Sequence, residues 1–401
     1  MSDQFPATVA ELKQIISQAS SSNTPLYPKG GGTKQHYGLP GKPHGLRVNL
    51  SGISQILDYP ARDMTISVQP GITIQDLQDV LRAENQRLPI DVPLPKQATL
   101  GGTIAANISG ARRFGFGTLR DYVIGLSVVN GIGHEFKTGG QVVKNVAGYD
   151  LCKLLIGSFG TLGILTRVTL TIRPVPEDSS LVGVLCRPER LEKLLNSMHN
   201  TRTRPCALEL LSPSSAQELL PPDLQELGHT LRRNGSFLFL VGFEANSEAV
   251  PWQISQLTAQ LEAEGFDVVG SWRGEHHPLW IALRDYPLRP SVFTFHASIP
   301  SSSVSEFVLL ALANVPHLQV HAGNGIVIGH ADEDFSQELL LKLRQYAETL
   351  GGSLTLLQCP ESWRKPNLLW GKTRANHSLM QRVKQQLDPH AIFNTGRFLL
   401  G

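Results

Sequence analysis

Tyr27 to Gly38 reads YPKGGGTKQHYG, with three consecutive glycines between Pro28-Lys29 and Thr33-Lys34. A glycine triplet loses the most backbone entropy on ordering, so it marks either a linker or a point where backbone comes unusually close to something. The second case has a definite chemistry. Successive N–H groups in a glycine turn can converge on an anion as a nest, and Lys29 and Lys34 would add counter-charge. The commoner nucleotide motifs do not fit. A Rossmann fingerprint needs a strand, G-x-G-x-x-G and then a helix, whereas GGGTKQHYG runs into LPGKPHG, rich in helix breakers. A phosphate loop of the form G-x-x-x-x-G-K-[ST] fails too, because Lys42 is followed by Pro43.

Two further tracts repeat the composition. Residues 98–117 read ATLGGTIAANISGARRFGFG, and 157–163 read GSFGTLG. Almost no bulky side chain is available in the first of these, so it can pack only where backbone meets backbone or ligand. Three such loops in one region are enough to wrap a long, doubly phosphorylated ligand, and the linker alternative weakens accordingly.

The elements that must hold these loops follow from periodicity. Thr8 to Ser21 has helical spacing (Val9, Leu12, Ile15, Ile16, Ala19), with Thr8 as N-cap. TISVQPG at 65–71 reads as a strand leading into a helix over 73–85. Two alternating runs around Asn130-Gly131 read as a hairpin, and residues 149–174 as helix, glycine turn and strand. After residue 178 the glycine-rich texture fades. LVGVLC, PERLEKLLNSMHN, CALELLS, SFLFLVGFE, a helix near 250–264 and DVVGSW give β-α-β-β-α-β, and the same order recurs from Val292 to Gln358. The fold class expected is therefore α+β: residues 1–177 as a glycine-loop domain, 178–359 as two ferredoxin-like units (178–273 and 291–359), and 360–401 as a C-terminal segment returning to the first domain.

Bulk properties exclude several functions. With 36 basic and 34 acidic residues and a net charge of +2, nothing calls for a nucleic acid or an anionic membrane as partner. Cys152, Cys186, Cys206 and Cys359 have no C-x-x-C or finger spacing, so they are expected to be buried thiols, not ligands of zinc or an iron–sulfur cluster. The N-terminus has neither the basic nor the apolar block of a signal peptide, and no apolar run approaches the ~18 residues of a membrane span. A soluble, cytoplasmic protein is expected.

The motifs P-x-G-x-G-T-K near residue 30, TLGGTIAANISG at 99–110 and KNVAGYDLCKLLIGSFGTLGILT at 144–166 resemble the FAD-binding domain of the vanillyl-alcohol oxidase / p-cresol methylhydroxylase (PCMH-type) flavoprotein superfamily. The likeness spans roughly residues 5–176. KNVAGYDL combined with LDPHAIFNTGR at the C-terminus is similar, within that superfamily, to the FAD-binding E subunits of bacterial glycolate dehydrogenases. The resemblance implies a two-subdomain FAD-binding domain, a cap formed by the later units, and FAD as cofactor. It implies that Pro28, Lys29, Gly30, Gly31, Gly32, Thr33 and Lys34 hold the pyrophosphate. Thr99, Gly101, Gly102, Ala105 and Asn107 would line the dinucleotide, with Gly110, Arg112 and Gly115 nearby. Gly160, Thr161, Gly163 and Ile164 would contact adenosine, and Asn394 would join them from the C-terminal motif. His36 is not in a G-G-H arrangement and reads as a solvated loop histidine, so non-covalent FAD is expected.

Oxidising glycolate needs a cation for the carboxylate and a base for the hydroxyl. Related D-2-hydroxy-acid dehydrogenases carry K-Y-D-V-S-x-P, H-V-G-D-G-N-x-H and E-H-G in the cap, the last two binding a divalent metal. This chain departs at each. It has Thr294 and His296 in TFHASIP, and Ile326 and Ile328 after His321 in HAGNGIVI; LQCPESWRK stands where E-H-G would be, and Phe159 replaces an acid. His321 and His330 alone do not make a metal site. Two readings remain. Either the chain is an FAD-bearing subunit whose own substrate site is degenerate, working with a paralogous catalytic flavoprotein and an iron–sulfur subunit, or it is itself a flavin dehydrogenase using Arg284, His321 and Arg374.

Overall fold

The computed structural model describes residues 2–140, 149–372 and 375–398. It divides into two compact units: Met1–Ser109, Gly117–Val175 and Arg364–Gly401 form the first, and Gly110–Phe116 with Pro176–Trp363 form the second. Among the described residues no helix is long and apolar enough to cross a membrane.

In the first unit, β1 (Ser2–Gln4), β2 (Leu26–Lys29) and β3 (Leu46–Asn49) make a parallel sheet in the order β1-β3-β2. The helix Val9–Ser21 starts where the Thr8 side chain accepts the Glu11 N–H at 3.2 Å, filling one of the donors a helix start leaves open. Its buried stripe of Leu12, Ile16 and Ala19 packs with Leu26, Val48, Val129, Ile164 and Phe393. This core joins the N-terminal sheet, the second sheet and the C-terminal segment.

Along the chain follow β4 (Ile56–Asp58), β5 (Thr65–Val68), short β6 (Gln86–Arg87), β7 (Val123–Val129), β8 (Glu135–Gly139), β9 (Ile164–Thr171) and β10 (Arg173–Pro174). β6 pairs with β10, and the others form an antiparallel sheet in the order β4-β5-β9-β7-β8. The β7–β8 connection is longer than a two-residue turn. Asn130 closes it through its side chain, which accepts the N–H groups of Ile132 (3.2 Å) and His134 (2.9 Å). The tract at 98–117 contains a helix the residue pattern did not reveal, Leu100–Ala106, capped by Thr99. Its glycines explain why it forms: a Cβ at Gly101 would press on Pro70, so only a bare backbone fits there.

The second unit is one antiparallel sheet of β11 (Asp178–Cys186), β12 (Ala207–Leu211), β13 (Phe237–Ala245), β14 (Asp267–Arg273), β15 (Phe293–Ser298), β16 (His317–His321), β17 (Ile326–Ala331) and β18 (Ser353–Gln358). The order is β14-β11-β13-β12-β16-β17-β15-β18. It consists of two four-stranded halves that meet edge to edge where Glu209 of β12 stands opposite His321 of β16. Edge pairing leaves no open strand between the halves. Two helices, Pro213–Leu219 and Gln225–Asn234, intervene between β12 and β13, where the sequence pattern gave only consecutive strands.

Alternation along the strands sorts the faces. Leu181, Ala207, Leu211, Leu238 and Leu240 pack under those two helices and under Pro278–Asp285 through Leu219, Leu231, Leu279 and Trp280. The intervening residues, Val182, Leu208, Leu210, Phe239 and Val241, are fully or nearly fully buried on the other face. Glu209 lies between Ala207 and Leu211 on the first face, a carboxylate inside an apolar layer. All four cysteines are buried and unbridged.

Candidate functional site

The glycine triplet lies directly against the chain that precedes the helix Leu100–Ala106. A Cβ at Gly31 would overlap the Gln97 carbonyl, and one at Gly30 would overlap the Thr99 hydroxyl. Gly32 takes a left-handed φ of +77°, open to glycine at no steric cost. Beyond the triplet the chain opens into a cleft enclosing about 690 Å³, part of it open to solvent, lined by Pro28 to Gln35, Thr99, Gly102, Ala105, Phe159, Asn394 and Arg397 among others. A second space of about 490 Å³ adjoins it and adds Gly101, Gly160, Gly163 and Ile164. The first and third glycine tracts thus line one continuous depression with the start of the second.

Backbone hydrogen bonds hold these tracts together. The helix Leu100–Ala106 leaves its last carbonyls without partners of its own, and the third tract supplies them: Gly157 N–H donates to Ile104 (3.0 Å) and Phe159 N–H to Ala105 (2.8 Å). Phe159 adopts a φ of +53°, unusual for a bulky side chain. Its carbonyl accepts from Asn394 Nδ2 at 2.7 Å, and its ring stacks on Phe398 with centroids 4.7 Å apart. Phe398 carried no signal in the sequence, Phe159 was read only as the loss of an acid, and Arg397 ended the C-terminal motif without an assigned role.

Not every expected residue reaches the cleft. Thr161 turns its hydroxyl to the Ser158 carbonyl at 2.7 Å, and Asn107 is the left-handed C-cap of the helix. Gly110, Arg112 and Gly115 belong to the second unit. There Gly115 N–H donates to Cys206 (3.0 Å), while Arg112 pairs with buried Glu244 at 2.7 Å and lies 3.9 Å from the Trp280 ring. These contacts give Arg112 and Gly115 a packing role. His36, expected to be solvated, is half-buried edge-on to Tyr37, outside the cleft lining. Burial, then Lys34 and Arg364, hold its pKa down to about 4, so the ring is neutral.

The second unit brings a different set together. His321 Nδ1 donates to Glu209 Oε1 at 2.7 Å, with both side chains buried. Gln319 Nε2 reaches Glu209 Oε2 (3.1 Å) and the Leu283 carbonyl (2.9 Å). A carboxylate can only accept, so it places a hydrogen on Nδ1 of the imidazole and turns Nε2 away from the pair. Burial, then His321 and Arg113, hold His296 down to about 4. Burial also lowers the Arg113 guanidinium, against an opposing pull from Glu209, and among the described residues its Nε has no hydrogen-bond partner. Neither Glu209 nor Arg113 was expected. Arg284 is committed to Asp285 by a bidentate pair at 3.0 and 2.7 Å. Arg374 lies outside the described residues, as do residues 144–148 of the KNVAGYDL motif. His330 is enclosed by Thr294 and Ser291, each 3.2 Å from its Nδ1. Among the described residues no three His, Cys, Asp or Glu side chains converge as a metal would require.

Residues 4–139 match the family described as the FAD binding domain. The mitochondrial D-lactate dehydrogenase [cytochrome] of Arabidopsis thaliana is 34% identical, over 98% of this chain and 72% of that protein. The chain belongs to this family of FAD-dependent hydroxy-acid oxidoreductases. FAD is its cofactor. Glycolate oxidase subunit GlcE of Escherichia coli is 35% identical, but over 42% of this chain and 48% of that protein. The structure of p-cresol methylhydroxylase with substrate bound has a TM-score of 0.76, covering 100% of this chain and 89% of that one; at 14% identity it is a likeness of fold.

The cleft fits the cofactor by its own geometry. One wall is glycine backbone packed too closely on Gln97 and Thr99 to admit a side chain, and a buried acceptor, Asn394 Oδ1, has no partner among the described residues. Such an orphaned acceptor is costly unless a ligand donor meets it.

Proposed function

We propose that this chain is the FAD-bearing subunit of a glycolate-oxidising complex, that it binds FAD non-covalently, and that its own substrate site is degenerate. The observation that carries the proposal is the contrast in completeness between its two sites. The cleft is lined by residues that would suit a dinucleotide: Pro28 to Lys34 for the pyrophosphate, Thr99, Gly101, Gly102 and Ala105 along its length, and Gly160, Gly163 and Ile164 for adenosine, with Asn394 beside them. Of the residues expected to act on substrate, Arg284 is engaged with Asp285, and Ile326 stands opposite His321 where the related enzymes are polar. A paralogous flavoprotein subunit would then oxidise glycolate, and electrons would pass to an iron–sulfur subunit.

Converting a 2-hydroxy acid to its 2-oxo acid removes the hydroxyl proton and a hydride from carbon, and FAD, when bound, supplies the hydride acceptor. A second reading follows from one observation, the Glu209–His321 pair. In that reading His321 Nε2 takes the hydroxyl proton, Glu209 stabilises the resulting imidazolium, and Arg113 receives the carboxylate. The chain would then be a self-sufficient dehydrogenase, as its full-length similarity to a D-lactate dehydrogenase allows.

Purified alone and given glycolate with an artificial electron acceptor, the chain should turn over negligibly, although dithionite should bleach its flavin. Saturable bleaching by glycolate would establish the second reading instead. Acid precipitation of the same preparation should release all flavin as free FAD; flavin retained in the pellet would indicate a covalent link.

A further inference from the structure

The C-terminal segment does more than close a domain. Lys384 is buried, and its Nζ donates to the carbonyls of Thr161 (2.8 Å) and Phe393 (3.1 Å) and to Asp388 Oδ2 at 2.5 Å. Asp388 in turn accepts the N–H groups of Ile392 (3.0 Å) and Phe393 (2.8 Å). Desolvating a lysine costs stability unless its hydrogen bonds do further work, and here they tie Thr161 of the third glycine tract to Phe393 of the C-terminal segment.

Past this anchor the chain follows the edge of β2. Leu26 N–H donates to Ile392 (2.7 Å), and Asn394 N–H donates to Leu26 (2.8 Å). Asn394 Nδ2 then captures the Phe159 carbonyl on one wall of the cleft. Three residues on, Arg397 captures the other wall. Its Nη2 donates to the carbonyls of Gln35 and Tyr37, each at 2.8 Å, and its Nε donates to Leu39 at 3.2 Å. Tyr27 Oη reaches Thr395 O between them at 3.0 Å. Carbonyls from two loops far apart in sequence are therefore fixed by one short strap, and both Asn394 and Arg397 also line the cleft.

We propose that Lys384, Asn394 and Arg397 are positioning residues for FAD. They form a C-terminal clamp that fixes the glycine loop and the 157–161 loop at their working separation, and so sets how slowly the cofactor leaves. The proposal rests on the reading that FAD occupies this cleft. Because the clamp acts on loop carbonyls, its loss should affect cofactor release more than folding of the cofactor-free chain.

The test uses the holoprotein and three variants: Asn394→Asp, which keeps an acceptor toward the cofactor but loses the donor to the Phe159 carbonyl, Arg397→Met and Arg397→Lys. FAD release into filtrate is timed, and the unfolding midpoint of each cofactor-free protein is measured. The first two variants should release FAD at least about tenfold faster, the loss expected when charged or buried hydrogen bonds go, with apoprotein midpoints within about 2 °C of wild type. Arg397→Lys should release FAD nearly as fast as Arg397→Met, because a point charge cannot reproduce a planar fork reaching three carbonyls. Release less than tenfold faster in both, wild-type release by Arg397→Lys, or midpoints that fall with the release rate would each overturn the clamp. Gly31→Val separates this from the reading beneath it. If that variant loses FAD while the clamp variants keep it, only the clamp fails; if it keeps FAD, the cleft itself is misassigned.

Discussion

The two units solve the problem of a polar site by opposite means. In the first, the cradle consists of backbone, and the defining feature of Gly30, Gly31 and Gly101 is the side chain they lack. In the second, the polar row of Glu209, Gln319 and His321 consists of side chains planted on neighbouring strands of an otherwise apolar sheet face. A backbone site has little to titrate and fails by steric intrusion. A side-chain site tolerates small changes of shape but depends on protonation and on the partner of each group. Sterics should therefore break the first unit, and protons the second.

The largest effect expected follows from the first half of that contrast. Gly31→Val places branched carbon where the Gln97 carbonyl already sits. No rotamer relieves a clash at Cβ, so the loop must move away from the helix Leu100–Ala106. Flavin content after gel filtration should fall to background, while the second unit, measured by its tryptophans, keeps the wild-type unfolding transition. Wild-type flavin content would make the triplet a linker after all.

Acid should act in the other direction. Burial is the first cause holding His330 down to about 3 and His296 to about 4, both in the second unit, against His36 at about 4 in the first. Each is neutral when folded and titrates near 6.5 when unfolded. Below pH ~6.5 the unfolded chain binds protons that the folded one refuses, so their contribution is complete above that pH and declines as the pH falls toward the folded values. For the pair the loss is on the order of 2 kcal/mol per pH unit between about 6 and 5. Four of the five tryptophans, Trp252, Trp272, Trp280 and Trp363, report on the second unit. Their fluorescence should shift during acid titration before flavin is released, and His330→Asn should flatten the response. Flavin release preceding the tryptophan change would contradict the assignment of acid sensitivity to the sheet.

The same contrast explains what could be read from the residues alone. Glycine tracts advertise a backbone site because their composition has few other uses, so Pro28 to Lys34 and Gly160 to Ile164 stood out. The helix Leu100–Ala106 did not, because a small-residue helix lacks the apolar stripe on which helical periodicity depends. Asn394 and Arg397 both lie in the C-terminal motif LDPHAIFNTGR, but only Asn394 was assigned a role, because nothing in the motif shows that Arg397 reaches back to the glycine loop. The Glu209–His321 pair was illegible for a simpler reason: its members are 112 residues apart and meet only because β12 and β16 pair edge to edge. Arg112 and Gly115 show the converse: in a tract suited to ligand contact, Gly115 packs against Cys206 and Arg112 lies over Trp280.

The smallest effect expected is the most informative about where oxidation occurs. If the polar row is structural, its donors are already committed within the unit: His321 Nδ1 and Gln319 Nε2 to Glu209, and Gln319 Nε2 also to the Leu283 carbonyl. In the reconstituted complex His321→Ala should then leave glycolate turnover within a few-fold of wild type, and Glu209→Gln likewise, since a glutamine keeps an acceptor for Nδ1–H. If His321 is instead the base, losing it should cost about 10²- to 10⁴-fold. Glu209→Gln should then also slow turnover by weakening the imidazolium that forms, and should displace the acid limb of the pH–rate profile. A loss of a hundredfold or more with FAD content unchanged would move the chemistry into this chain. The contrast between the units would then be a division of labour within one enzyme, with a backbone site holding the cofactor and a side-chain site handling the proton.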